Sequence, residues 1–219
     1  MRKLFLPLTL LAAAMFSYAP FMIDGAPYES TMLLVQKIFY FHAPAGFIML
    51  TSGIVCGVAS VLFLWKKRPG ADRVALAAGE LTVLFGAIVL ATGPLWARKA
   101  WGVWWNADVR LTMSLVGWLI AVGYLIVRRF GGPGSEKLAA GLAVFGTANV
   151  PFIYVSVNIW RTMHPQTTVV PSLVEGMRGP FWFCVLAFYV LYALLMTARI
   201  HLERQRALVN DLYLAQEDA

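Results

Sequence analysis

Six apolar stretches, residues 4–23, 41–65, 74–97, 111–127, 138–160 and 180–200, decide what this chain can fold into. A helix of about 17–25 apolar residues crosses the hydrocarbon core of a bilayer. Inside lipid the backbone has to satisfy its own hydrogen bonds, so runs of this length predict helices. Composition agrees: 60% of the 219 residues are hydrophobic and 13% charged, against about 45–50% and about 25% in soluble domains. The expected fold is all-α, a polytopic bundle of six transmembrane helices over residues 1–200 with a short, charged, helix-prone tail over 201–219. The loops leave no room for a soluble domain, and no long internal repeat is evident. Met1-Arg2-Lys3, the apolar stretch and Ser17-Tyr18-Ala19 together have the outline of a cleavable leader. Pro20 after the cut, and the apolar run continuing to Ile23, favour an uncleaved first helix.

Charge gives an orientation. The net charge of +7 sits in short clusters between apolar runs, which is a membrane-topology pattern and not the groove of a nucleic-acid binder. With the N-terminus inside, the inner segments carry Arg2, Lys3, Lys66, Lys67, Arg68, Arg73, Arg128, Arg129, Lys137, Arg199, Arg204 and Arg206. The outer segments then carry only Lys37, Arg98, Lys99, Arg110, Arg161 and Arg178. Twelve basic residues against six place both termini in the cytoplasm. The outer loops, near 24–40, 98–110 and 161–179, then collect His42, Trp101, Trp104, Trp105, Asp108 and His164. The chemistry faces outward.

Two histidines occupy matching places. His42 opens the second span in Phe39-Tyr40-Phe41-His42-Ala43-Pro44, and His164 follows the fifth in Trp160-Arg161-Thr162-Met163-His164-Pro165. Neutral imidazole is a common axial ligand of haem iron, and two histidines on different helices at one depth suit the two faces of one iron. Between them runs Trp101-Gly102-Val103-Trp104-Trp105-Asn106-Ala107-Asp108-Val109-Arg110. If this loop is helical, residues 101, 104, 105 and 108 share one face, three indoles ending in a carboxylate. A shelf of indoles suits a porphyrin face, and Arg98, Lys99 and Arg110 suit its propionates. A plain interfacial tryptophan belt explains the same indoles, and an N-cap for the fourth span explains Asp108.

Other residues read as architecture. Pro151, Tyr154 and Asn158 share a face of the fifth span that is expected to turn toward the bundle interior and to border the route to His164. Gly53 and Gly57 form a GxxxG for close helix contact. Glu80, within the third span, is expected to pair inside the bundle. His201, near Arg199 and Arg204, fits a partner for a helix C-terminus. Cys56 and Cys184 lie within apolar runs and form no CxxC or zinc spacing. No CxxCH is present, so the chain does not carry covalent haem itself.

Taken together, the histidine segment before span two, Thr92-Gly93, the tryptophan loop through Arg110-Leu111-Thr112, and Asn149-Val150-Pro151 through Tyr154, Ser156-Val157, Trp160 and His164 resemble haem exporter protein C of the cytochrome c maturation system. The resemblance covers most of the chain. It implies six spans in a bacterial inner membrane and non-covalent, b-type haem at the periplasmic face, with His42 and His164 as axial ligands of the haem iron. It also implies Trp101, Trp104, Trp105 and Asp108 as the loop motif, and transfer to a membrane-anchored haem chaperone. ABC-transporter subunits and a small membrane subunit are implied partners. Two positions depart from the pattern: Ala107, where a tryptophan is usual, and Pro165, where a glutamine is common.

The reading is therefore a holding and hand-over site in a lipid bilayer, with no nucleic acid and no enzyme activity. No nucleophile–base pair and no phosphate-binding loop appears, so an ATP-driven step belongs to a partner. A membrane electron-transfer cytochrome b is one rival; it would place histidines at mid-depth, and a catalytically used redox couple would favour it. A small-molecule permease is the other, and it would carry no haem after purification.

Overall fold

The computed structural model describes residues 2–28, 32–160 and 162–217; Arg161, counted above among the outer cations, and the last two residues of the tail lie outside that set. The described residues form helices and loops only. Helix α1 spans Arg2–Asp24, and a short 3-10 turn, Leu33–Ile38, leads into α2, Phe39–Lys66. Then come α3, Pro69–Trp101, α4, Val109–Phe130, and α5, Ser135–Ile159. A 3-10 turn at Thr167–Val169 precedes α6, Glu175–Glu217. All six helices are long and apolar enough to cross a membrane, and each holds one of the six apolar stretches.

Local chemistry sets the helix ends. α2 stops where Lys67 takes a left-handed conformation and its N–H closes on the Phe63 carbonyl at 2.8 Å. α3 restarts on Pro69, whose fixed φ and missing N–H suit a first helical position. α4 begins at Asp108, whose side chain accepts from the Leu111 N–H at 2.9 Å.

α2 is the axis of the bundle. It packs on α3, α5 and α6, while α4 lies against α5 and α3, and α1 lies on α6. The expected glycine pair makes the α2–α5 contact. A Cβ on Gly57 would stand 1.8 Å from Thr147 Oγ1, and Thr147 donates to the Gly53 carbonyl at 3.0 Å. Only a bare backbone fits there.

One end of the bundle is held by charge pairs. Arg128 grips Asp72 with two bonds of 2.8 Å, joining α4 to α3. Glu80 does pair: Arg199 of α6 bonds both its oxygens, the Nη2–Oε1 bond at 2.6 Å, and reaches Glu203 at 2.9 Å. A carboxylate at membrane depth is costly alone, and the guanidinium offsets that cost. One expectation changes here. The helix-prone segment from 201 is a direct continuation of α6 as far as Glu217, so His201 sits within a helix and not at its C-terminus.

Candidate functional site

The opposite end gathers the start of α2, the end of α3, the start of α4 and the segment after α5. His42 lies in the first turn of α2. Its Nδ1 is 2.8 Å from Thr92 Oγ1 on α3. Thr92 also lies 2.7 Å from the Ile88 carbonyl, which can only accept. Both contacts are satisfied together only when the hydroxyl gives its single proton to Ile88 and accepts from His42 Nδ1–H. That tautomer leaves the Nε2 lone pair of His42 available. Gly93 lets the imidazole lie against α3, since a Cβ there would stand 3.3 Å from His42 Cε1.

His164 reaches the same state by another route. Its Nδ1 is 2.9 Å from the Pro165 carbonyl, so Nδ1 carries the proton and Nε2 is again open. The backbone carbonyl of residue 165 thus orients the ring. Burial, and then the Arg110 cation, hold the His164 pKa down at about 4, against the opposing pull of the Pro165 carbonyl and the Asp108 carboxylate. His164 is therefore neutral at pH 7 and competent as a metal ligand. His42, His164 and Arg110 stand within electrostatic reach of one another.

The tryptophan loop differs from the helical stripe expected of it. α3 ends at Trp101, and Gly102 turns the chain at φ +77°, a conformation that residues with a Cβ rarely adopt. Residues 102–107 are non-helical, so the three indoles do not share a helix face. They remain accessible: Trp104 is 58% exposed and Trp105 38%. Trp101 is half-buried, its ring 6.3 Å from that of Trp96, which in turn lies 6.3 Å from the ring of His42. Trp96 joins the site as an unforeseen member, held by an indole N–H contact to Met32 Sδ at 2.7 Å. In the sequence it is one more aromatic inside an apolar run, and only the fold sets it between a histidine and the loop.

Asp108 is the N-cap through Oδ1, and its Oδ2 accepts from the Thr162 hydroxyl. Thr162 accepts from the His164 backbone N–H at 3.1 Å. Asn106 donates to Met163 Sδ at 3.0 Å, a second stitch between the two loops. Arg110, expected to face propionates, spends Nη1 on the carbonyls of Ile153 (2.6 Å) and Tyr154 (3.2 Å) at the end of α5; its Nε and Nη2 are not used in these bonds. Arg98 bonds the Gly102 carbonyl and braces the turn. The face of α5 carrying Pro151, Tyr154 and Asn158 opens outward, not into the bundle: Tyr154 is 49% exposed. With Phe47, Thr51 and Tyr189, Pro151 and Tyr154 line a groove beside α2.

Among the described residues no three His, Cys, Asp or Glu side chains converge as a metal cage. A bare zinc ion takes about four protein or water ligands. An iron already held by a porphyrin needs only axial donors, and two neutral imidazoles with open Nε2 atoms meet that need. The donor set fits haem iron, and the exposed indoles fit an apolar macrocycle.

A family model described as Heme exporter protein C matches residues 1–213. The Heme exporter protein C of Bradyrhizobium diazoefficiens is 32% identical over 197 residues, covering 87% of this chain and 75% of that one. That of Escherichia coli K12 is 30% identical over 193 residues, 81% of this chain and 76% of the relative. A putative cytochrome c biosynthesis ccmC-like mitochondrial protein of Marchantia polymorpha is 32% identical over 158 residues, 71% of this chain and 68% of the relative.

Proposed function

Since the chain belongs to the Heme exporter protein C family, we propose that it holds haem non-covalently between His42 and His164 and passes it to a membrane-anchored haem chaperone. The family supports a part in haem export for cytochrome c maturation, a transport role. The finer reading rests on one observation. Two histidines from different parts of the fold, in electrostatic reach of each other, both have Nδ1 engaged and Nε2 open.

In this reading His42 and His164 offer Nε2 to the iron, and Trp101, Trp104 and Trp105 offer faces to the macrocycle. Arg110 offers its remaining donors to a propionate. The exposed loop at 102–107 is where the chaperone docks. Positive-inside counting supports a periplasmic position for this end, in a bacterial inner membrane, with both termini cytoplasmic. ABC-transporter subunits and a small membrane subunit complete the machinery, because the chain brings no nucleotide loop of its own.

The test is spectroscopic. Purified protein is expected to show a low-spin haem spectrum, while His42→Gly and His164→Gly each lose haem and regain part of it when imidazole is added. If either variant keeps the parental low-spin spectrum, that histidine is not a ligand. Reporter fusions at Arg68 and Trp104 are expected to give opposite signals; equal signals sink the periplasmic assignment.

A further inference from the structure

We infer that Thr162 is a positioning residue for His164, with Asp108 as its anchor: the carboxylate that starts α4 also fixes, through the Thr162 hydroxyl, the loop that presents the imidazole. The inference rests on the proposal that His164 is an axial ligand.

The geometry leaves each group one task. A carboxylate only accepts, so the Thr162 hydroxyl proton points at Asp108 Oδ2. The Thr162 hydroxyl oxygen then has a lone pair for the His164 N–H two residues on, at 3.1 Å, which is the local turn that serine and threonine favour. Asp108 Oδ1 is taken by the Leu111 N–H at 2.9 Å. Both carboxylate oxygens therefore work on protein groups, and hydrogen bonds to a charged acceptor of this kind are stronger than those between neutral groups. Pro165 next restricts the backbone of His164 to extended conformations, and its carbonyl takes Nδ1–H at 2.9 Å. His164 is fixed at two points: its backbone N–H through Thr162, and its ring Nδ1 through the Pro165 carbonyl. The first of these anchors belongs to α4 and the tryptophan loop. A threonine thus serves each histidine, Thr92 by setting a tautomer and Thr162 by setting a backbone.

Thr162→Val keeps the shape and removes the hydroxyl. Outer-shell partners of metal ligands typically contribute about 10–100-fold in affinity, so haem affinity is expected to fall at least about tenfold. The spectrum should shift from low-spin toward mixed spin, because His164 is present but displaced, and added imidazole should restore the low-spin form. Thr162→Ser, which keeps the hydroxyl, should bind within about twofold of the parent. Asp108→Asn keeps a competent helix cap but offers an amide where Thr162 needs an acceptor. It should reproduce the Thr162→Val spectrum, and the double variant should be no worse than either single one. This variant also carries the test if Thr162→Val accumulates poorly. A Thr162→Val protein that melts earlier yet keeps parental affinity and spin state overturns the inference, as does an additive double variant. His164→Gly separates the two failures. If it too keeps the low-spin spectrum, the ligand assignment has failed; if it loses it while Thr162→Val does not, only the positioning role has.

Discussion

Thr92→Val isolates the bond that sets the His42 tautomer. Valine fills the threonine's volume and is at home in a membrane helix, and the lost back-bond to Ile88 costs the helix little. What disappears is the acceptor 2.8 Å from His42 Nδ1. A part-buried N–H left without a partner costs about 1–3 kcal/mol. Loss of an outer-shell partner weakens metal binding about 10–100-fold, or about 1.4–2.8 kcal/mol. The two estimates agree, so the haem Kd of the variant should rise by one to two powers of ten, on the order of the outer-shell range. The freed imidazole can also take the Nε2–H tautomer, which cannot ligate through Nε2, and this moves the spectrum toward high spin. The assay is a spectral titration of the detergent-solubilised apoprotein with haem, parent beside Thr92→Val and Thr92→Ser. Serine keeps the acceptor and should stay near the parent. A valine variant with parental spectrum and a Kd within about twofold refutes the chain of reasoning from tautomer to ligand.

Three further outcomes are expected. Replacing Trp104 and Trp105 together by Ala should weaken haem retention at least about tenfold, at roughly 0.5–1.5 kcal/mol per aromatic contact beyond area, with no rescue by imidazole; full retention and normal chaperone loading would leave the loop as an interfacial belt. Because the His164 pKa is lowered from 6.5 to about 4, the folded chain binds fewer protons than the unfolded one between those values, and this group's contribution to stability falls as pH is lowered through that window. Haem uptake limited by His164 should accordingly stay level down to about pH 5 and fall only near pH 4; a decline centred at 6.5 counts against the buried site. Arg199→Met should lower the melting temperature by leaving Glu80 unpaired, and adding Glu80→Gln should recover most of the loss; a single variant as stable as the parent would show that the pair contributes nothing.

The spans were legible because bilayer thickness is a coarse ruler: about 20 apolar residues are needed, and little else supplies them. Gly53 and Gly57 were legible for a similar reason, since close helix approach in lipid selects small residues. Where the helices end depends on single residues. Positions 101, 104, 105 and 108 match a helix period, yet Gly102 at φ +77° breaks it and Asp108 begins a new helix. Both break signals were present: the aspartate before an apolar run already pointed to an N-cap for the fourth span, whereas the spacing of the indoles obscured the glycine past a helix end. The passage from apolar to charged sequence near residue 201 is a change of solvent, not of secondary structure, so it did not mark a helix end. Trp96 and Thr162 were not legible at all. Each matters through one contact across the fold, to His42 and to Asp108, and no local pattern encodes that.

Helix α6 is mechanically unusual for its place. Its 43 residues extend about 65 Å at about 1.5 Å per residue, some two times the roughly 30 Å of hydrocarbon it crosses. Its N-terminal end rests on the site's own support, where Phe181 stacks on Phe39 at 4.9 Å, three residues before His42. Its course past Glu80 is pinned by Arg199. Beyond that pin the helix runs on from Arg199 to Glu217, an arm of about 27 Å at about 1.5 Å per residue, and a tilt of about 5° about the pin moves its end by roughly 2 Å. One continuous helix thus joins the packing around Phe39 to the charged segment beyond the Arg199–Glu80 pair, so a shift at either end is passed along a single hydrogen-bonded backbone.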